Sequence, residues 1–166
     1  SAQVAFEWNA ALLGAVQISA NPPPLASRNM AIVTAAMYDA LNAVNRASSY
    51  LFVRVPTIAG ASAEAAVAAA AHRALTNLYP AQTATFDALL ASSLARIEPG
   101  QARDDGAAIG RSVADALLAL RGADGAYDFV EYVPDSGVGA WQPTGPAFAP
   151  ALMPQWPDVT PFTLDG

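Results

Sequence analysis

The second predicted helix carries the polar side chains that are best placed to do chemistry. Arg28, Tyr38, Asp39 and Asn42 form a polar strip beside its apolar residues. Burial of Arg28 against Asp39 would form a charge-assisted link between a guanidinium and a carboxylate. We favour an internal network that fixes the register of the helix, because buried charges are usually paired for structural reasons. The alternative is an acid–base site built on Asp39 and Arg28.

The chain has few other groups suited to catalysis. It has no cysteine and a single histidine, His72, so thiol catalysis, cysteine zinc sites and a histidine-rich metal site within the chain are excluded. His72 lies in the middle of a predicted helix, and we interpret it as structural or solvent-facing. The sequence also lacks the Gly-x-Ser-x-Gly, Gly-x-Gly-x-x-Gly and P-loop patterns.

Acidic residues form a loose cluster after the last predicted helix, at Asp124, Asp128, Glu131 and Asp135. Their spacing does not match the calcium loop of EF-hand proteins, so we predict solvated loop carboxylates and no metal site. The net charge of the chain is −6, and all eight basic residues are arginine. This balance argues against nucleic acid as a partner, because phosphate neutralisation dominates that kind of binding.

Apolar residues that recur every three or four positions predict an all-α fold. They indicate a bundle of five helices, over residues 3–19, 27–46, 62–79, 82–97 and 101–121. Pro22, Pro23 and Pro24 are predicted to separate the first two helices, with Ser27 as the N-cap of the second. Gly106 and Gly110 lie four residues apart on the fifth helix and predict the close approach of a neighbouring backbone.

Two segments fall outside this helical pattern. Residues 48–60 are predicted to form an extended linker packed on the helices, because a lone strand there would have no pairing partner. The helical domain is predicted over residues 1–122, and residues 123–166 hold seven of the 13 prolines. Proline at this density excludes a regular helix. Trp141, Phe148, Trp156 and Phe162 in the same segment indicate an extended arm that lies against a surface and inserts its rings.

Seven stretches of the sequence, spread over nearly the whole chain, share one resemblance: residues 22–33, 35–44, 63–66, 70–73, 141–144, 148–156 and 159–162. Taken in order, they resemble the N-terminal helical part of the vanadium-dependent haloperoxidase family, within the type 2 phosphatidic acid phosphatase superfamily. One departure is Thr34, where many relatives have histidine.

The larger departure concerns the catalytic machinery. In that family a second helical region carries an oxyanion site made of a lysine, two arginines, a Ser-Gly-His turn and a further histidine. This chain has no lysine, no Ser-Gly-His and one histidine, so no catalytic residue can be transferred to it. The resemblance therefore implies a non-catalytic scaffold that supports a C-terminal catalytic domain, in the same protein or in a separate chain.

The same resemblance implies that vanadate belongs to the catalytic part, with no cofactor held by this chain. It implies halide oxidation with peroxide, or phosphomonoester hydrolysis, as the reaction of the parent protein, and a secreted or periplasmic location. It leaves a homo-oligomer open, and the sequence predicts no membrane span. The alternative function is a self-contained helical binding module that uses the proline-aromatic arm as a lid or docking strap.

Overall fold

The computed structural model describes residues 2–163 and confirms the all-α prediction. The five helices are α1 (Ala2–Ser19), α2 (Pro23–Asn45), α3 (Ala63–Leu78), α4 (Thr83–Ala95) and α5 (Gln101–Arg121). Short 3-10 helices cover Pro80–Gln82 and Trp156–Asp158. No β-strand occurs in residues 2–163. The chain divides at residue 122 into two compact units, one with the five helices and one with the proline-rich segment.

The core of the helical unit is built around α3. Residues 65–71 of this helix are all buried, so it has no solvent-facing side over two full turns. It packs against α5, α2, α4 and α1. Six of those seven residues are alanine, whose small side chain lets neighbouring helices approach from several directions at once. Larger side chains from the surrounding helices fill the remaining space, among them Trp8, Leu12 and Phe86, which are fully buried.

The closest helix contact joins α3 to α5 and confirms the prediction made from Gly106 and Gly110. A β carbon at Gly106 would overlap the carbonyl oxygen of Ser62 and lie 3.1 Å from the Ala65 β carbon. A β carbon at Gly110 would overlap the carbonyl oxygen of Ala66 and lie 2.9 Å from the amide nitrogen of Ala70. Only glycine leaves room for a backbone at this distance, so these two positions set the separation of the helices.

The predicted start of α2 was wrong. The helix begins at Pro23, with Pro22 as its N-cap, and Ser27 lies inside the first turns with its hydroxyl donating to the Pro24 carbonyl. Prolines fit this position because the amide hydrogens they lack would have had no partner in the first turn. The tripeptide that was predicted to separate the helices therefore initiates the second one.

The connections around α1 and α4 are partly polar. Arg96, the C-cap of α4, forms an ion pair with Glu7 of α1, in which its Nη1 donates to the Glu7 Oε1 at 3.1 Å. This hydrogen-bonded guanidinium holds the pKa of Glu7 below its ordinary value. Among the large apolar side chains of α4, Phe86 is buried, whereas Leu90 and Leu94 are half-buried.

None of the helices within residues 2–163 combines the length and the apolar character that are needed to cross a membrane.

Replacing Gly110 by alanine should destabilise the helical unit by about 1–3 kcal/mol or more, because α3 and α5 must separate to admit the methyl group. Gly14→Ala is the matched control, since no atom lies within 4 Å of a β carbon built at that position of α1. The control should instead stabilise the fold by about 0.5–1 kcal/mol through helix propensity. Chemical denaturation followed by circular dichroism measures both changes. A Gly110→Ala variant as stable as the parent would contradict the close contact.

Candidate functional site

Apart from the exposed Tyr38, the polar strip of α2 is buried, and together with Asn29 its residues form two separate groups along the helix. Arg28 and Asn29 lie near the N-terminal end, whereas Asp39 and Asn42 lie near the C-terminal end, and their exposed fractions range from 1% to 9%. Eleven residues separate Arg28 from Asp39, which corresponds to about 16 Å along the helix axis. The predicted Arg28–Asp39 pair is therefore wrong, since this separation is too long for the two side chains to bridge.

The N-terminal group ties three helical segments together. Arg28 Nη2 donates to the backbone carbonyl of Arg121 at 2.8 Å, and Arg28 Nη1 donates to the Asn29 side-chain oxygen at 3.3 Å. Asn29 in turn donates to the hydroxyl of Tyr79, just after α3, at 3.2 Å. The guanidinium thus neutralises the negative end of the α5 dipole. These bonds join α2 to the end of α5 and to the residue that follows α3, and Asp39 takes no part in them.

Asp39 holds the segment that connects α2 to α3. Its two carboxylate oxygens accept hydrogen bonds from three consecutive backbone amides, Leu51 at 2.5 Å, Phe52 at 2.9 Å and Val53 at 3.0 Å. Asn42 adds a bond from its amide to the carbonyl of Ser49 at 3.3 Å. Amide donors supply to a buried carboxylate the hydrogen bonds that water would otherwise provide. The carboxylate therefore acts as an anchor for this connector.

The connector, residues 46–57, forms the wall of a solvent-accessible cavity of about 770 Å³. The other wall is the last turns of α2. The lining residues are Asp39, Asn42, Ala43, Arg46, Ser48, Ser49, Tyr50, Val53, Arg54, Val55, Pro56 and Thr57. The sequence predicted an extended connector but not the cavity, because hydrophobic periodicity carries no information on the path of a loop.

His72 lies outside this cavity and links two helices. Its Nε2 is hydrogen-bonded to the Asp87 Oδ1 of α4 at 2.6 Å, and its ring meets the indole of Trp8 edge-on with centroids 6.2 Å apart. His72 thus joins α3 to α4 through a hydrogen bond and to α1 through ring packing.

The remaining predicted site residues are spread over the chain. Tyr38 is 38% exposed and does not line the cavity. In the proline-rich unit, Trp141 is 45% exposed and contacts Tyr132 edge-on at 5.5 Å. Trp156 opens the second 3-10 helix and is half-buried, as is Phe162. Within the helical unit the structure thus brings Asp39 and Asn42 together and leaves Tyr38 outside the cavity that they line.

One member of the acidic cluster is not solvated, which corrects that prediction. Asp124 is buried, and its Oδ1 accepts a hydrogen bond from the Ala126 amide at 3.1 Å. Gln155 closes the same turn by donating to the Ala126 carbonyl at 2.9 Å. Asp128, Glu131 and Asp135 are exposed. Across residues 2–163 no group of histidine and carboxylate side chains is arranged to hold a metal ion.

Neither a protein-family model, nor a curated protein, nor a solved structure matches this chain. The resemblance to haloperoxidases therefore remains a prediction that rests on the sequence segments given above.

Replacing Asp39 by asparagine should release the connector, because one carbonyl oxygen cannot accept the bonds that two carboxylate oxygens accept. We expect a loss of stability of about 1–3 kcal/mol. Hydrogen exchange should be accelerated at the amides of Leu51, Phe52 and Val53. The control is Glu98→Gln, which removes an exposed carboxylate that lies after α4. Unchanged protection of the three amides in Asp39→Asn would show that the carboxylate does not anchor the connector.

Proposed function

We propose that this chain is the non-catalytic scaffold part of a vanadium-dependent haloperoxidase-like or acid-phosphatase-like protein, and that it supports a C-terminal oxyanion-binding catalytic domain. The proposal starts from the order of the seven family-like segments, which run from residue 22 to residue 162. Halide oxidation and phosphomonoester hydrolysis are the two reactions that such a parent protein would carry out, and the catalytic part would supply either one.

The observation that carries the proposal is the structural use of Asp39, Arg28 and His72, the side chains that are best suited by type to do chemistry. Asp39 accepts three backbone amides, Arg28 donates to a backbone carbonyl, and His72 is bonded to Asp87. A catalytic group needs an atom directed at a substrate, and these side chains direct their polar atoms at the protein itself.

Vanadate does not fit the groups of this chain. In the family it requires an imidazole together with several cations, and His72, the single imidazole of the sequence, is engaged with Asp87 and lies outside the cavity that Arg46 and Arg54 line. We therefore assign vanadate to the catalytic part.

Exposed aromatic side chains support the second half of the proposal, namely that a partner covers part of this protein. Within the proline-rich unit, Phe129 is 91% exposed, and Tyr127 and Phe148 are each 67% exposed. On α1, Phe6 and Ile18 are 73% and 74% exposed. Large apolar side chains in this number are typical of surfaces that another polypeptide covers.

A binding module is the second candidate, and the cavity beside α2 favours it. Cavities of about 300–1,000 Å³ are typical of small-molecule sites, and this one falls in that range. The two candidates differ in what they predict for solution behaviour. A binding module should be a monodisperse monomer, whereas a scaffold without its catalytic partner should associate through its exposed rings.

An activity assay tests the scaffold proposal directly. The purified chain is incubated with vanadate, bromide, hydrogen peroxide and a phenolic acceptor, and separately with a phosphomonoester. We expect no turnover in either case, and robust bromination would overturn the proposal.

We also expect the coding sequence that follows, or a chain that copurifies, to supply about 250 residues of ordinary domain size. That region should contain the lysine and the Ser-Gly-His turn.

Replacing Phe129 and Phe148 together by serine should reduce self-association and the binding of a hydrophobic dye. Both rings are largely exposed, so stability should change by no more than about 0.5 kcal/mol for each substitution. Sedimentation velocity and dye fluorescence measure the two effects. The control is Gln142→Ala, a substitution at an exposed polar position of the same unit. If the parent chain is already monodisperse and binds no dye, the exposed rings do not form a docking surface and the binding module is favoured.

A further inference from the structure

We propose that the cavity between the end of α2 and the connector binds a small organic molecule through an oxyanion group, a carboxylate or a phosphate, with Arg46 and Arg54 as the cationic residues. This inference concerns a binding site on the helical unit and does not depend on the proposed scaffold function.

Arg46 and Arg54 differ from three other arginines of the helical unit because they have no carboxylate partner among residues 2–163. Arg73, Arg96 and Arg103 form ion pairs with Asp115, Glu7 and Asp104, in that order. Arg46 donates to the hydroxyl of Thr57, which is neutral. Over residues 2–163, Arg54 has neither a hydrogen bond nor an ion pair, and it is exposed. Two guanidinium groups without a carboxylate partner thus line one cavity in a protein of net charge −6.

Asp39 is the only acidic side chain in the cavity lining, and its oxygens already accept hydrogen bonds from the connector. Asp39 is 1% exposed and accepts three amide hydrogen bonds, so its oxygens are occupied by the connector. The end of α2 contributes the negative pole of its dipole, equivalent to about half a unit charge. Two guanidinium charges exceed the sum of the Asp39 carboxylate charge and that dipole contribution, so the lining keeps a net positive charge and favours an anion. Guanidinium groups also match the geometry of carboxylate and phosphate oxygens.

The connector wall of the cavity is held in place by contacts within the helical unit. Asp39 holds the middle of the connector, Asn42 holds the carbonyl of Ser49, and Arg46 holds Thr57. A wall fixed at three points reduces the conformational entropy that binding would otherwise cost. Hydroxyl groups and apolar side chains complete the lining, and they suit an organic body that carries the oxyanion, namely Ser48, Tyr50, Val53, Val55 and Pro56.

Calorimetric titration with two probes tests the proposal, malonate for carboxylates and inorganic phosphate for phosphates. Both titrations use the full chain at low ionic strength, since exposed charges are screened by salt. We expect at least one probe to bind. Arg54→Ala should weaken that binding about tenfold or more, which is the order expected for a hydrogen-bonded charge. Arg54→Lys should cause a smaller loss, because it keeps the charge and loses the planar fork.

Arg111→Ala is the matched control. Arg111 is exposed on α5, lies outside the cavity and, like Arg54, has no hydrogen bond or ion pair within the described part of the chain. Its removal changes the net charge by the same amount, and binding should stay within about twofold of the parent, because a remote exposed charge is largely screened. Thermal unfolding verifies that Arg54→Ala folds normally, as expected for a side chain with no bonds to lose.

Each outcome decides the question. Binding of malonate alone assigns the site to carboxylates, and binding of phosphate alone assigns it to phosphates. Absence of binding by both probes overturns the proposal, as does an equal loss in Arg54→Ala and Arg111→Ala, which would indicate general attraction by surface charge. None of these results depends on a catalytic partner, so failure here leaves the scaffold proposal standing, and turnover by the isolated chain would overturn that proposal alone.

Discussion

The contact between the backbones of α3 and α5 is the constraint on which the helical unit depends. Gly106 and Gly110 lie against the carbonyls of Ser62 and Ala66, so the two helices are as close as their main chains allow. Such proximity is compatible only with small side chains on α3, and residues 65–71 meet that condition with six alanines and one valine. The larger core side chains must then come from the other helices. Among them Trp8 and Leu12 of α1, Ile32 of α2 and Leu117 of α5 are buried.

The sequence predicted the helical unit well, because helix periodicity and the spacing of glycines are local features of a sequence. Helix periodicity identified five helices, and the spacing of Gly106 and Gly110 indicated the close contact. The central position of α3 was not recognised, since alanine contributes little to an apolar stripe and a helix buried on all sides has no stripe to find. The start of α2 was misplaced because prolines were treated only as helix breakers, although they are favourable in the first turn.

The candidate site was harder to predict because its geometry depends on contacts distant in sequence. Arg28, Asp39 and Asn42 were singled out as a polar strip of α2, but their hydrogen-bond partners were not predicted. Arg28 bonds to a carbonyl 93 residues away, and Asp39 bonds to amides in a loop whose path no pattern encodes. Both side chains serve the backbone, which is consistent with a supporting role for this protein. The cavity with Arg46 and Arg54 arises as a by-product of the same anchoring.

The anchoring of the connector by Asp39 also restricts how this segment can change in evolution. Between Asp39 and Val53 the chain must leave the helix and return to the same carboxylate, so an inserted or deleted residue there would displace all three amides. Beyond Val53 the chain has no comparable attachment to Asp39 before the N-cap Ser62 of α3. Because Arg46 also holds Thr57, length variation among descendants of this sequence should concentrate in residues 58–61, leaving the rest of the connector constant in length.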